Sequence, residues 1–155
     1  MAASADHPGI IAPPPLIYGG ALVIALVLHW FKPMPIFGQA SALWPGLMLV
    51  ALGAGLAIWG RQALVAAGTN VNPYRPTTAI ADSGPYRFSR NPLYVSLTLI
   101  YLGLTLAFDT WWGFFLLVAV LIVMHFGVIQ REERYLEGKF GESYRRYRSG
   151  VRRYL

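Results

Sequence analysis

Long apolar stretches alternate with polar connections along the chain. Four of these stretches approach the roughly 20 mostly apolar residues that a helix needs to cross a bilayer. They are residues 16–31, 41–59, 92–108 and 111–128. Only Asp109 and Thr110 separate the third stretch from the fourth, which predicts a tight antiparallel hairpin. The pattern therefore predicts an all-α integral membrane protein with four transmembrane helices.

Composition agrees with this interpretation. The chain is 55% hydrophobic and only 13% charged, with a mean hydropathy of +0.46, which is more apolar surface than a soluble domain of 155 residues buries. It has no cysteine, so neither a disulfide framework nor a thiolate site is available. No sequence repeat divides the chain, and we expect residues 1–155 to form a single domain.

Positive charge is concentrated on one side of the predicted bundle. With both termini on the same side, every Lys and Arg except Lys32 shares that side. The positive-inside tendency then assigns both termini and the 61–91 loop to the cytoplasmic face of an inner or plasma membrane. A net charge of +6 is explained in this way, with a lipid bilayer rather than nucleic acid as the partner.

The basic tail after the fourth stretch has an apolar and aromatic stripe. Its members recur at intervals of three or four residues: Leu136, Phe140, Tyr144, Tyr147 and Val151. This spacing predicts a cytoplasmic amphipathic C-terminal helical segment, interrupted or bent at Gly141. Such a segment either lies on anionic headgroups or packs against the rest of the protein.

Polar residues surround the start of the third stretch and the end of the fourth. Asn91 and Pro92 suit a helix start, with Asn91 as the N-cap and Pro92 in the first helical position. Glu132 and Glu133 follow the fourth stretch, and because neighbouring helical residues point about 100° apart, at most one of them should face the bundle. An ion pair with Arg87 or Arg90 is the structural alternative.

Two motifs together resemble a known family. The segment SGPYRFSRNPLY, followed by a helical hairpin and then REERYLEGKFGESYRRY, resembles the signature of the isoprenylcysteine carboxyl methyltransferase family, which is related to phospholipid N-methyltransferases. The resemblance covers about residues 68–153. It implies S-adenosylmethionine-dependent methyl transfer to a lipophilic or membrane-associated acceptor, such as an isoprenylcysteine carboxylate, a lipid amine or a small thiol. It also implies a cytoplasmic-side cofactor pocket within this part of the chain.

The resemblance assigns cofactor contacts position by position. They fall on Thr78, Ala79, Ile80, Ala81, Tyr86, Asn91, Pro92, Leu93, Tyr94 and Glu132. Glu132 suits cationic or ribose hydroxyl groups, Asn91 with loop amides suits the carboxylate, and the tyrosines suit the purine. Family enzymes commonly have His where this chain has Asn91. Because Asn does not titrate near neutral pH, we assign Asn91 to binding and not to acid-base chemistry.

Candidate residues for binding the methyl acceptor lie at or just after the end of the fourth stretch. His125 is a polar residue at membrane depth, which favours a position facing a cavity. Isoprenylcysteine enzymes have an Arg one turn before the cofactor Glu, whereas this chain has Val128, so the acceptor class stays open. Arg131 completes the predicted substrate-binding set. Methyl transfer depends mainly on proximity and exclusion of water, so we assign no catalytic side chain and no metal.

Three other functions fit parts of the sequence. An NADPH-dependent membrane reductase of the sterol reductase type shares a similar C-terminal pattern. A four-helix transporter fits the size, but the four stretches contain no acidic residue in their interiors. A lipid-binding scaffold fits the basic tail without requiring Asn91, Tyr94 and Glu132. Binding of S-adenosylmethionine or NADPH would separate these classes.

Small residues in the second stretch have a structural interpretation. The segment ALGAGLAIWG places Gly53 and Ala57 inside a predicted span and Gly60 directly after it. Because such residues let helix backbones approach closely in a membrane, we interpret them as a packing surface. A glycine-rich nucleotide loop would instead follow a strand.

Overall fold

The computed structural model describes residues 7–38, 42–72 and 75–154, and the regular elements in these ranges are all helical. They are α1 (Pro14–Phe31), α2 (Leu43–Ala66), α3 (Pro92–Ala107), α4 (Trp111–Met124), α5 (Gln130–Phe140) and α6 (Glu142–Gly150). A short 3₁₀ turn, Gly84–Arg87, precedes α3, and a π-helical turn, His125–Ile129, joins α4 to α5. The predicted all-α fold is confirmed. The extent of a single domain over residues 1–155 stays a prediction.

Within the described residues, three helices are long and apolar enough to cross a membrane: α1, α2 and the continuous helix Trp111–Phe140. The predicted third span corresponds to α3, an apolar helix of 16 residues. At roughly 1.5 Å per residue it rises about 24 Å, less than the hydrocarbon thickness of about 30 Å. The second helix continues to Ala66, beyond the predicted end at residue 59, while the predicted start at residue 41 lies outside the described residues.

Apolar side chains cover the outside of the helices. In α1 and in α2, only 17% of an apolar 18-residue segment is buried within the protein. The exposed side chains include those of Val23, Ile24, Leu52, Phe115 and Val118. Because a continuous apolar exterior of this kind is unfavourable in water and compatible with lipid, the surface is that of a helical bundle suited to a bilayer.

Glycines on one face of α2 let α3 approach closely. Gly46, Gly53 and Gly60 recur every seven residues, and all three are buried. A Cβ atom on Gly46 would lie 2.5 Å from the carbonyl oxygen of Gly103, and one on Gly53 would lie 2.8 Å from the carbonyl oxygen of Ser96. The packing role predicted for Gly53 and Gly60 is therefore confirmed.

A tyrosine pair joins α1 to the α3–α4 hairpin. The rings of Tyr18 and Tyr101 meet edge to face, with centroids 6.0 Å apart. The Tyr18 hydroxyl lies 2.8 Å from Thr98 Oγ1, and the Tyr101 hydroxyl donates to the carbonyl oxygen of Gly113 over 3.0 Å. Because buried hydroxyls need partners, these bonds fix α3 between its neighbours.

The turn between α3 and α4 fixes the connection between α1 and α2. Asp109 adopts a φ of +50°, and its carboxylate accepts the backbone N–H groups of Ile36, Phe37 and Gly38 over 2.8–2.9 Å. These donors, Phe37 above all, lower the pKa of the Asp109 carboxyl. The predicted tight hairpin is confirmed, because α3 ends at Ala107 and α4 begins at Trp111.

Gly53→Ala should destabilise the protein, with Gly55→Ala as the matched control. A methyl group on Gly53 would lie 2.7 Å from Ile100 Cγ1, whereas nothing lies within 4 Å of the corresponding point on Gly55. We expect the Gly53 variant to lose about 1–3 kcal/mol through overpacking. The Gly55 variant should be neutral or slightly stabilised by its better helix propensity. Thermal unfolding in detergent measures the difference, and equal melting temperatures would contradict the close packing of α2 and α3.

Candidate functional site

A pocket lies beside the start of α3. Its wall is formed by the loop after α2, the first turn of α3, the beginning of α5, and α6. Eight of the ten predicted cofactor residues line it: Ala79, Ile80, Ala81, Tyr86, Asn91, Leu93, Tyr94 and Glu132. The structure therefore brings together residues that are up to 53 positions apart in the chain, Ala79 and Glu132 being the outermost.

The two remaining predicted cofactor residues, Thr78 and Pro92, do not line the pocket but lie next to residues that do. The Thr78 backbone N–H donates to Thr69 Oγ1 over 3.1 Å, and the Thr78 hydroxyl donates to the carbonyl oxygen of Gly68 over 2.7 Å. Pro92 is buried as the first residue of α3, as predicted. The extended end of α2 supports the same wall, because Ala63 packs with Ala81 and Tyr86 in a buried cluster.

Glu132 lines the pocket and is held by Tyr94. The Tyr94 hydroxyl donates to Glu132 Oε1 over 2.6 Å, so the first turn of α3 orients a carboxylate on α5. Glu132 lies beyond the apolar stretch that ends at residue 128. Burial raises the pKa of its carboxyl to about 7, the Tyr94 hydrogen bond opposes this shift, and neighbouring Glu133 adds to it. The carboxylate is therefore poised to gain from a cationic partner.

Glu133 is buried between two arginines. Arg153 donates Nε to Glu133 Oε1 over 3.0 Å and Nη2 to Oε2 over 2.7 Å, while Arg90 Nη2 lies 3.1 Å from Oε1. The proposed alternative of an ion pair with Arg90 is therefore realised by Glu133. The expectation that only one of the two acids faces the protein is wrong, since both line the pocket. The reason is that Tyr94 of α3 contacts Glu132, while Arg153 of the C-terminal segment contacts Glu133.

Asn91 occupies the N-cap position of α3, but its side chain makes no capping hydrogen bond. Its Nδ2 instead donates to the carbonyl oxygen of Arg153 over 2.9 Å. The predicted side-chain cap is therefore corrected. The C-terminal segment runs alongside this loop, where the Arg90 N–H donates to the carbonyl oxygen of Arg152 over 2.9 Å, and it orients the Asn91 amide towards the tail.

The amphipathic tail packs over the pocket. Gly141, with a φ of +53°, separates α5 from α6, as its position predicted. The stripe residues Leu136, Tyr144 and Tyr147 line the pocket, and the Tyr147 hydroxyl donates to the carbonyl oxygen of Tyr86 over 2.8 Å. Burial raises the pKa of Tyr144 to about 12, so its phenol stays neutral at physiological pH. The tail is therefore a wall of the site.

The loop after α2 supplies pocket residues that the sequence did not indicate. They are Thr69, Asn70, Val71, Asn72 and Thr77. The segment is irregular in its described residues, and Asn70 Nδ2 donates across it to the carbonyl oxygen of Pro76 over 2.8 Å. Irregular backbone has no period from which a face can be assigned. Pro73 and Tyr74 lie outside the described residues.

The three predicted acceptor residues do not line this pocket. His125 lies in the π-helical turn, with Nδ1 2.8 Å from the Tyr154 hydroxyl. Val128 is fully buried in the core beside α1, and Arg131 is exposed, with Nη1 donating to the carbonyl oxygen of Gly9 over 2.8 Å. The structure therefore does not bring these residues to the cofactor side, and their role stays a prediction.

Comparison with known proteins identifies the family. The family described as phospholipid methyltransferase matches residues 41–143, which is more than half of the chain. The chain belongs to this family of integral-membrane methyltransferases, which is related to the isoprenylcysteine carboxyl methyltransferases. The family supports methyltransferase activity on a lipid-type substrate.

One curated relative is similar over a shorter segment. It is a protein of Haemophilus influenzae with the description "Uncharacterized protein", 46% identical over 66 residues, which is 41% of this chain and the whole of that protein. No solved structure matches the chain significantly. Within the described ranges, no group of three or more His, Asp or Glu side chains is placed to hold a metal ion.

Glu133→Gln should destabilise the protein far more than Glu137→Gln. Removing one partner of a buried ion pair typically costs about 3–5 kcal/mol, because the remaining charges stay buried. The Glu137 carboxylate also pairs with two arginines, Arg145 and Arg148, but those side chains are 57% and 44% exposed. Glu137→Gln should therefore lower the free energy of unfolding by less than about 1 kcal/mol. Thermal or denaturant unfolding of both variants measures this difference. Equal losses would show that the cluster around Glu133 does not fix the tail.

Proposed function

We propose that the protein transfers the methyl group of S-adenosylmethionine to a lipophilic acceptor at the cytoplasmic face of a membrane. The observation that carries the proposal is the pocket at the start of α3, where the Tyr94–Glu132 pair lies among most of the residues expected to contact the cofactor. Membership of a membrane methyltransferase family supports the reaction class.

The donor set of the pocket fits this cofactor. S-adenosylmethionine combines a sulfonium, an ammonium, a carboxylate and an adenosine. Glu132 provides a carboxylate for a cationic or hydroxyl group, and the backbone and small side chains of Ala79, Ile80 and Ala81 provide an apolar wall. Tyr86 is buried beside them and provides an aromatic surface for the purine.

When bound, S-adenosylmethionine supplies an activated methyl group. The side chains of this chain contribute binding, orientation and exclusion of water. The Tyr94 hydroxyl fixes the Glu132 carboxylate, and Tyr144 and Tyr147 cover the pocket from the tail. Because methyl transfer requires an in-line approach and a dry site, such positioning accounts for catalysis without an assigned base.

The acceptor is proposed to enter from the bilayer. The exposed apolar surfaces of the helices favour a lipid-type molecule, in agreement with the family. Val128 is buried and offers no cation for an acceptor carboxylate, which favours a lipid amine over an isoprenylcysteine carboxylate. Incubation with labelled S-adenosylmethionine and panels of lipid amines, prenyl-cysteines and small thiols tests this assignment.

Glu132→Gln should weaken S-adenosylmethionine binding by about ten- to a hundredfold, because a charge-assisted hydrogen bond or ion contact is lost. The affinity of the wild type for S-adenosylmethionine should fall by up to about tenfold per pH unit below pH 7. The reason is that the Glu132 carboxyl has a raised pKa and must lose its proton to pair with a cation. The Gln variant should lack this pH dependence. Calorimetry on detergent-purified protein measures both effects.

Glu137→Gln is the matched control for binding, because Glu137 lies on the same helix but does not line the pocket. Its affinity should equal that of the wild type. NADPH is the control ligand, and a response to NADPH in place of S-adenosylmethionine would favour the reductase class. Unchanged affinity in folded Glu132→Gln protein would remove Glu132 from the site.

We propose that both termini, the loop after α2 and the pocket lie in the cytoplasm. The chain has no cysteine, so single cysteines can be introduced cleanly at Ser83, Ser149 and Phe37, which are exposed. Cysteines at 83 and 149 should react only with membrane-permeant reagents in intact cells, because these positions lie on the side rich in Lys and Arg. Phe37→Cys should react with impermeant reagents. The reverse labelling pattern would invert the topology.

A further inference from the structure

Arg90 lies in the wall of the pocket with part of its guanidinium unpaired. Its side chain is only 8% exposed, and its Nη2 lies 3.1 Å from Glu133 Oε1. Its Nε and Nη1 are buried, and neither has a hydrogen-bond partner among the described residues. The ion pair with Glu133 therefore leaves two donors of Arg90 without a partner among the described residues.

Unpaired donors on a buried charge are energetically unfavourable. A guanidinium presents five N–H donors in a planar fork, and folded proteins leave few such buried groups unsatisfied. The desolvation of a charged group is not repaid by one contact with a shared carboxylate. Either the donors bind a group that enters the pocket, or the arrangement is strongly destabilising.

The contacts of Glu133 point to an anion as the missing partner of Arg90. Arg153 contacts both oxygens of Glu133, so this carboxylate is shared between two guanidinium groups, while Glu132 is held by Tyr94. The aromatic neighbours Tyr144 and Tyr147 are neutral phenols that line the same pocket. A carboxylate or phosphate would fit the planar fork of Arg90 and accept hydrogen bonds from its two unpaired donors.

We propose that Arg90 binds the carboxylate at the amino-acid end of S-adenosylmethionine. This proposal rests on the function proposed above. Glu132 and Arg90 line the same pocket and carry opposite charges, which complements a zwitterionic amino-acid group. Asn91 was the sequence-based candidate for this carboxylate, but its amide already donates to the carbonyl oxygen of Arg153.

The test compares two ligands that differ only in the carboxylate: S-adenosylmethionine and decarboxylated S-adenosylmethionine. We expect the wild type to prefer the first by about ten- to a hundredfold. Arg90→Gln should abolish this preference while leaving the affinity for the decarboxylated ligand almost unchanged. Calorimetry on the full chain in detergent gives both affinities. A preference that survives in Arg90→Gln would overturn the proposal.

Two further variants separate binding from folding. Arg87→Gln removes an exposed arginine of the same loop that does not line the pocket, so its preference for the carboxylate should equal that of the wild type. Where Arg90→Gln is not recovered folded, Arg90→Lys keeps the charge but lacks the planar fork, and its preference should be at least threefold below that of the wild type. Loss of the preference in Arg87→Gln, or an unchanged preference in Arg90→Lys, would contradict the role of the guanidinium.

The remaining arms distinguish this proposal from the function on which it rests. If neither adenosyl ligand binds the wild type, the proposed function fails. If both bind and Arg90→Gln retains the preference, only the assignment of Arg90 fails. A lipid phosphate is the other possible anion, and it is probed with short-chain phosphatidylethanolamine against diacylglycerol. If Arg90→Gln loses only the preference for phosphatidylethanolamine over diacylglycerol, Arg90 binds the lipid phosphate and the cofactor assignment is overturned.

Discussion

The buried ion cluster around Glu133 is the interaction on which the pocket depends. It joins the loop before α3, the first turn of α5 and the C-terminal segment through Arg90 and Arg153. Because the Arg90 and Glu133 side chains are buried and Arg153 is only partly exposed, removing one charge leaves a buried charge without its partner. The cluster therefore fixes the tail beside the start of α3, and the Asn91 and Tyr147 hydrogen bonds follow from that placement. Without the contacts that hold the tail beside the start of α3, the aromatic stripe on α6 would face solvent or lipid headgroups.

The π-helical turn determines which side chains of α5 reach the pocket. A π turn inserts about one extra residue into a helix, which rotates everything that follows by roughly 100° relative to regular α-helix. Here it lies at His125–Ile129, just before Glu132 and Glu133. The carbonyl oxygen of Gly127 accepts the backbone N–H of Ile11 over 3.3 Å, so the N-terminal segment satisfies a group in the widened turn. The π-helical turn is therefore in contact with residues more than 110 positions away.

Local chemistry explains what the sequence predicted well. Helix positions, the hairpin at Asp109, the start of α3 at Pro92 and the break at Gly141 follow from apolar runs, proline geometry and glycine freedom. The length of α2 was underestimated because Arg61 and Gln62 end the apolar run, although the helix continues to support Ala81 and Tyr86. Two features of the site could not be predicted in this way: the unpaired donors of Arg90 and the hydrogen-bond partner of Asn91. Both depend on Arg153, which is 62 or more residues away in the chain, and no local pattern encodes such contacts.

The short α3 connects the two environments that the proposed reaction requires. Its first turn carries Leu93 and Tyr94 into the pocket, and its later turns pack between α1, α2 and α4 with Ser96 and Thr105 buried. Because its polar side chains are shielded by protein, α3 need not match the hydrocarbon thickness by itself. The long neighbours α2 and Trp111–Phe140 extend beyond its start and enclose the pocket there. In the proposed reaction, a polar cofactor held at the start of α3 would lie within reach of an acceptor that stays in the bilayer.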